Sequence, residues 1–160
     1  MLNKYSAELD FNNDSPIIIK GFLASLICFE ISLFTSKISF IEATAESIDL
    51  ESATFDSVVI GYSLCTIPEP ILALSEARRL LKEDGSLFFM EHGLAPEKSI
   101  QKWQHRISPG WKKIAGGCNL DRNIEELILS GGFQFKDLKK KYIKGPKIAA
   151  FQYYGEAIKS

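Results

Sequence analysis

The sequence predicts an α/β fold, a mostly parallel sheet closed by an antiparallel element at its C-terminal end. Three observations predict it. Downstream of residue 38, apolar β-branched runs alternate with helical patterns, as in strands joined by helical crossovers. Proline opens the first helical pattern, and glycines follow the ends of two of them. The last two runs, 133–142 and 148–159, read as two successive strands.

In chain order, residues 37–42 read as a short strand and 55–63 (FDSVVIGYS) as a strand buried on both faces. Pro68-Glu69-Pro70 stops that strand. Pro70 suits a first helical position, and Ile71, Leu74, Ala77, Leu80 and Leu81 form an apolar stripe, so a helix is expected to end near Glu83 with Gly85 as its stop. Residues 86–92 (SLFFMEH) are the next strand. A second helix spans 99–107, with Ile100, Trp103 and Ile107 on one face and Pro109 at its end. Asp121 is expected to cap a third helix that runs to about Ser130, where Gly131 and Gly132 stop it.

Upstream of residue 38 the pattern is poorer. Residues 12–16 (NNDSP) are a loop or turn, and 17–34 read as a buried helix or two short strands. A parallel strand–helix–strand unit does not fit there. Its crossover needs at least about 10–12 residues, and residues 20–25 supply about half of that. The chain is therefore divided into a divergent segment, 1–37, and a folded domain, 38–160.

At 160 residues with 46% hydrophobic side chains, the chain can bury one core. Its 19 basic and 20 acidic side chains nearly cancel, so no global field draws it to nucleic acid. The lysines 136, 139, 140, 141, 144 and 147 read as a solvated face that protects a sheet edge. Cys28, Cys65 and Cys118 form no C-x-x-C pair, so neither a disulfide framework nor a metal site is signalled, and a reducing cytoplasm is expected. Lys20 and Glu30 interrupt the apolar stretch 17–34, leaving far less than the roughly 20 residues that span a bilayer. Glu8, Asp10 and Asp14 precede it, unlike the basic flank of a signal peptide. No transmembrane segment is expected; peripheral membrane contact stays open.

Several strings then coincide with a known family. Ala45-Glu46-Ser47-Ile48 followed by Thr54-Phe55-Asp56-Ser57-Val58-Val59, and Ala77-Arg78-Arg79-Leu80-Leu81-Lys82-Glu83-Asp84-Gly85-Ser86-Leu87, resemble passages of the ubiquinone/menaquinone-biosynthesis-like class I S-adenosylmethionine-dependent methyltransferases. Glu91-His92-Gly93, Trp103-Gln104, Pro109-Gly110-Trp111 and Gly117-Cys118-Asn119-Leu120-Asp121-Arg122 are similar to a collinear series in the subgroup that includes alkyl-thiol S-methyltransferases. Gln152-Tyr153-Tyr154-Gly155 resembles that subgroup's last strand.

The resemblance implies a Rossmann-like sheet that binds S-adenosyl-L-methionine and a small-molecule methyl acceptor over the C-terminal ends of its strands. It places Thr44, Ala45 and Glu46 at the adenine side, Glu30 at the ribose, and Tyr62, Ser63 and Leu64 facing the methionine part. It places His92 across the methyl-transfer site as a base, with Trp103, Gln104 and Trp111 walling the acceptor pocket. Glu91 should point to the opposite face of the strand from His92. Cys65 and Cys118 read as small buried hydrophobes.

Family members open with a strand running into G-x-G-x-G, and this sequence has no G-x-G. The first strands are accordingly expected to be missing or replaced, in a truncated or divergent N-terminus. The segment 17–34 is expected to pack against the central strand, or a second copy of the chain to cover that edge as a homodimer. Two functions follow: methyl transfer to a small molecule, or a catalytically inactive remnant or interaction module. A nicotinamide-dependent enzyme is a weaker third, since G-x-G-x-x-G is absent too.

Overall fold

The structure, a computed structural model, describes residues 17–19, 41 and 43–160. Most of the strand expected at 37–42, Glu30 and most of 17–34 lie outside the described residues.

Among the described residues five strands form one sheet: β1 (Ile17–Ile19), β2 (Phe55–Gly61), β3 (Leu81–His92), β4 (Phe133–Tyr142) and β5 (Phe151–Lys159), in the order β1-β2-β3-β5-β4. β1 pairs parallel to β2, and β2 to β3; β5 runs antiparallel to both β3 and β4. Four strands thus share one direction and β5 opposes them. Ile17–Ile19 lies beside Val58–Ile60 of the central strand β2, where part of the N-terminal segment was expected.

Two helices, α1 (Pro70–Leu80) and α3 (Ile124–Ser130), pack on one face. Leu74 and Ala77 of α1, with Ile124 and Ile128 of α3, meet Val58, Ile60, Leu87, Phe89 and Ala157 in a single core. At about 25 cal/mol per Å² of apolar surface, this burial is the main force holding helices to sheet. The other face is more open. Val59 is 37% exposed and its cross-strand neighbour Phe88 is 39% exposed, so among the described residues the packing on β2 lies on one face.

α1 ends at Leu80, before the expected Glu83. The reason is long-range. The amides of Ala53 and Thr54, on the way into β2, take the carbonyls of Arg79 and Leu80, and Leu81 turns extended at once. The helix end is satisfied by chain from elsewhere, so no glycine cap is needed, and Gly85 is buried within β3. Ile71, expected in the apolar stripe, is instead 37% exposed.

The long helix α2 (Lys98–Ile114) runs through Pro109 rather than ending there. His105, whose carbonyl loses its helical partner to the proline, is on the exposed side, where water can replace the bond. Asn123, not Asp121, caps α3 by accepting the amide of Glu126. The Asp121 carboxylate is taken by Ser108 and His105 of α2. A short helical turn, α4 (Lys147–Ala150), precedes β5, which therefore starts at Phe151.

Gly155 of the Q-Y-Y-G string pairs with Leu138, just past the bulge in β4 between Phe135 and Asp137. A Cβ there would stand 2.1 Å from the Asp137 carbonyl oxygen, so the close approach requires glycine. Along the edge strand β4 the exposed Lys136, Lys139 and Lys140 pair with Glu156, Asp137 and Glu125.

Candidate active site

Past the C-terminal end of β2 the chain turns sharply. Tyr62 has φ 49°, a left-handed conformation unusual for a residue with a large side chain. Its amide still reaches the Met90 carbonyl, so the turn stays tied to β3. Residues 63–67 then form a tight loop in which Thr66 and Ile67 donate to the Ser63 carbonyl.

That loop is held from three sides. The buried Glu91 of β3 accepts the amides of Ser63 and Leu64 at 2.7 and 3.1 Å. Arg122 donates to the carbonyls of Leu64 and Ile67. Asn119 gives both its backbone and its side-chain N–H to the Cys65 carbonyl. Burial pushes the Glu91 carboxyl up to about 7, although its two amide donors pull the other way. As its position in the strand requires, Glu91 is fully buried while the next residue, His92, is half-buried.

Opposite the loop, His92 ends β3 and its Nε2 lies 3.0 Å from the Cys118 sulfur. A cleft of about 260 Å³ opens here, at the C-terminal edge of the parallel strands. Tyr62, Cys65 and Thr66 line it from the loop, and His92 from the strand. Trp111, Ala115 and Cys118 close it from α2 and the segment beyond. The two thiols differ. A bond from the Cys65 thiol, with His92 beside it, holds the Cys118 thiol below its ordinary value, while Cys65 is pushed up.

The collinear motif residues therefore converge. Glu91, His92, Trp111, Cys118 and Arg122 either line the cleft or hold the loop that does. Gly93 is part of the same packing: a Cβ there would sit 2.6 Å from the Arg122 carbonyl oxygen.

Other expected site residues lie elsewhere. Gln104 is fully buried and is not among the residues that line this cleft: its Nε2 donates to the carbonyls of Gly93, Leu120 and Ile148, and its Oε1 accepts the Ala95 amide. Trp103 is 57% exposed, with the Arg106 guanidinium 6.0 Å from its ring. The inward stripe of α2 is the buried Gln104 and Ser108 with the half-buried Ile100, Ile107 and Trp111, a helical spacing that leaves Trp103 outside. Ser63 and Leu64 are buried and spend their amides on Glu91, so only Tyr62 of that trio lines the cleft. Thr44, Ala45 and Glu46 form a turn closed by the Ser47 amide on the Thr44 carbonyl, away from the cleft-lining residues. Cys65 and Cys118 are buried as expected, yet both reach the cleft.

Comparison with known proteins points to one family. The family model described as a methyltransferase domain matches residues 25–89. The thiol S-methyltransferase TMT1B of Rattus norvegicus is 40% identical over 85 residues, covering 52% of this chain and 35% of its own length. The thiol S-methyltransferase TMT1A of Homo sapiens is 30% identical over 126 residues, 75% of this chain and 50% of its own.

This chain belongs to the class I S-adenosylmethionine-dependent methyltransferases.

A further relative is the ubiquinone/menaquinone biosynthesis C-methyltransferase of Rhizobium etli, 30% identical over 87 residues, covering 52% of this chain and 34% of its own length. Among solved structures, a SAM-dependent methyltransferase from Methanosarcina mazei superposes with a TM-score of 0.65 at 16% identity, over 90% of this chain and 81% of that one. That match shows the shared Rossmann-like methyltransferase fold. The chain spans about a third to a half of the length of the curated relatives it matches. Among the described residues, no helix is long and apolar enough to cross a membrane.

Proposed function

We propose that this methyltransferase-family chain transfers a methyl group from S-adenosylmethionine to a small thiol. The observation that carries the reading is the cleft itself: small, largely apolar in its lining, and placed where His92 meets the end of the central strand. At about 260 Å³ it falls just below the usual range of small-molecule sites, roughly 300–1,000 Å³. The lining fits an acceptor and the reacting end of the cofactor rather than the whole cofactor.

S-Adenosylmethionine supplies an electrophilic methyl on a sulfonium, which leaves as a neutral thioether. The protein's part is to place the acceptor in line and to manage one proton. Trp111 and Leu120 give the acceptor an apolar wall, and Tyr62 turns into the cleft from the cofactor side. His92 is placed to take the acceptor's proton, a demand that is modest for a thiol already partly ionised. Ser63 and Leu64, fixed by Glu91, hold the loop's shape; Thr44, Ala45, Glu46 and Glu30 would meet the adenosine part.

The thiol preference comes from the two relatives named as thiol S-methyltransferases and from the motif series shared with them. Calorimetric titration with S-adenosylhomocysteine tests the cofactor half of the reading, and a radiolabelled-methyl assay against a panel of alkyl and aryl thiols tests the acceptor half. Micromolar binding with label transferred to a thiol is the expected result. The sequence's lack of a G-x-G loop gives the alternative, an inactive interaction module, its one specific support. Silence at millimolar ligand would establish that alternative instead.

A further inference from the structure

Cys65, His92 and Cys118 come from three separate parts of the chain: the loop after β2, the end of β3, and the segment after α2. Their ligand atoms all lie within 4.8 Å of one another, and the three residues line one cleft. Both cysteines are free thiols, buried to 2% and 9% exposure.

We propose that Cys65, His92 and Cys118 form a site for a thiophilic divalent cation of the zinc type, with its fourth position open to the cleft.

The geometry meets the demands of such an ion. With Zn–S near 2.3 Å and Zn–N near 2.0–2.1 Å, a tetrahedral centre separates two sulfurs by roughly 3.8 Å, and a sulfur from a nitrogen by roughly 3.5 Å. Every pair here is inside 4.8 Å, and the 3.0 Å contact of His92 Nε2 with the Cys118 sulfur needs to open by only about half an ångström. Two soft sulfurs and an imidazole select zinc or another thiophilic ion over magnesium or calcium, which require oxygen. Three protein ligands with a fourth position open to a cavity is the arrangement of a catalytic rather than a structural zinc site.

The scaffold is already built around these positions. The loop that carries Cys65 is fixed by Glu91, Arg122 and Asn119, so ordering that ligand costs little on binding. Binding exchanges the thiol protons of Cys65 and Cys118 for the cation, with no change of oxidation state. A small thiol entering the fourth position would lose its own proton to solvent and bind as thiolate. That last step rests on the proposed thiol methylation; metal binding does not. With the ion in place, His92 acts as a ligand and is not needed as a base.

The test measures the metal alone, without methyl donor or acceptor. The full-length chain is prepared with a phosphine reductant and titrated with Zn²⁺ against a chromophoric chelator, and with Co²⁺ by absorption spectroscopy. The expected result is one ion per chain, a tetrahedral cobalt spectrum with a sulfur-to-metal charge-transfer band, and affinity at least ~10-fold weaker in Cys65→Ser, Cys118→Ser and His92→Gln. The Cys28→Ser variant should bind like the wild type. A wild-type chain with no stoichiometric cobalt spectrum would overturn the site whether or not any variant folds. So would binding lost in Cys28→Ser, or unchanged in both Cys118→Ser and His92→Gln. Zinc bound without methyl transfer would refute the proposed function alone, and methyl transfer by metal-free protein would refute only the ion's part in it.

Discussion

Glu91 offers the sharpest quantitative prediction. Its carboxyl is fully buried and accepts two backbone amides through Oε1, while the buried Oε2 has no hydrogen-bond partner among the described residues. Burial wins over the amides and raises it from an ordinary value near 4.5 to about 7. A carboxyl raised on folding binds its proton more tightly in the native state, so its contribution to stability is fully present below about 4.5 and is lost as pH rises through 7. Between pH 5 and pH 8 the loss is roughly 2–3 kcal/mol, from the linkage of proton binding to folding. Glu91→Gln keeps the shape and an acceptor for the amides but cannot ionise. Urea unfolding of both proteins across this range should therefore give a difference in stability, variant minus wild type, that climbs by roughly 2–3 kcal/mol toward alkaline pH. Taking the difference cancels the titration of every other group. A flat difference, or one that falls with pH, would show that the amide donors outweigh burial and that Glu91 is an ordinary buried anion.

Two helix-α2 neighbours should behave oppositely. Gln104→Ala removes four hydrogen bonds from a fully buried position and should cost about 3 kcal/mol or more in urea unfolding. Trp103→Ala should stay within about 0.5 kcal/mol of wild type and leave S-adenosylhomocysteine titration unchanged, because the side chain is exposed and off the cleft. Gly93→Ala forces a methyl against the Arg122 carbonyl, so a loss of about 1–3 kcal/mol is expected, read as a lower thermal midpoint.

Much of the architecture was legible because it rests on local pattern. The strands β3 and β4, α1 and the antiparallel close all carry their period in adjacent residues, and β4 was read with the bounds it has, 133–142. The misreadings come from long-range chemistry. Nothing near Leu80 announces a helix end, since the groups that satisfy it belong to Ala53 and Thr54. An apolar-stripe search favours Trp103 over Gln104, because a buried glutamine looks polar until its partners at residues 93, 95, 120 and 148 are assembled around it. The Cys65–His92–Cys118 cluster escaped for the same reason: ligand spacing is a local signal, and these three meet only in the fold. Its one clue was that His92 and Cys118 both fall in the collinear motif series.

The sheet order also bears on how the molecule is made. β4 is synthesised before β5, yet β5 lies between it and β3 and supplies the pairing that joins it to the sheet. A nascent chain that has just extruded β4 has nowhere to place it. Its lysine-rich sequence then serves as a solubilising strand in waiting, which stays hydrated until β5 arrives to join both halves in one late, cooperative step.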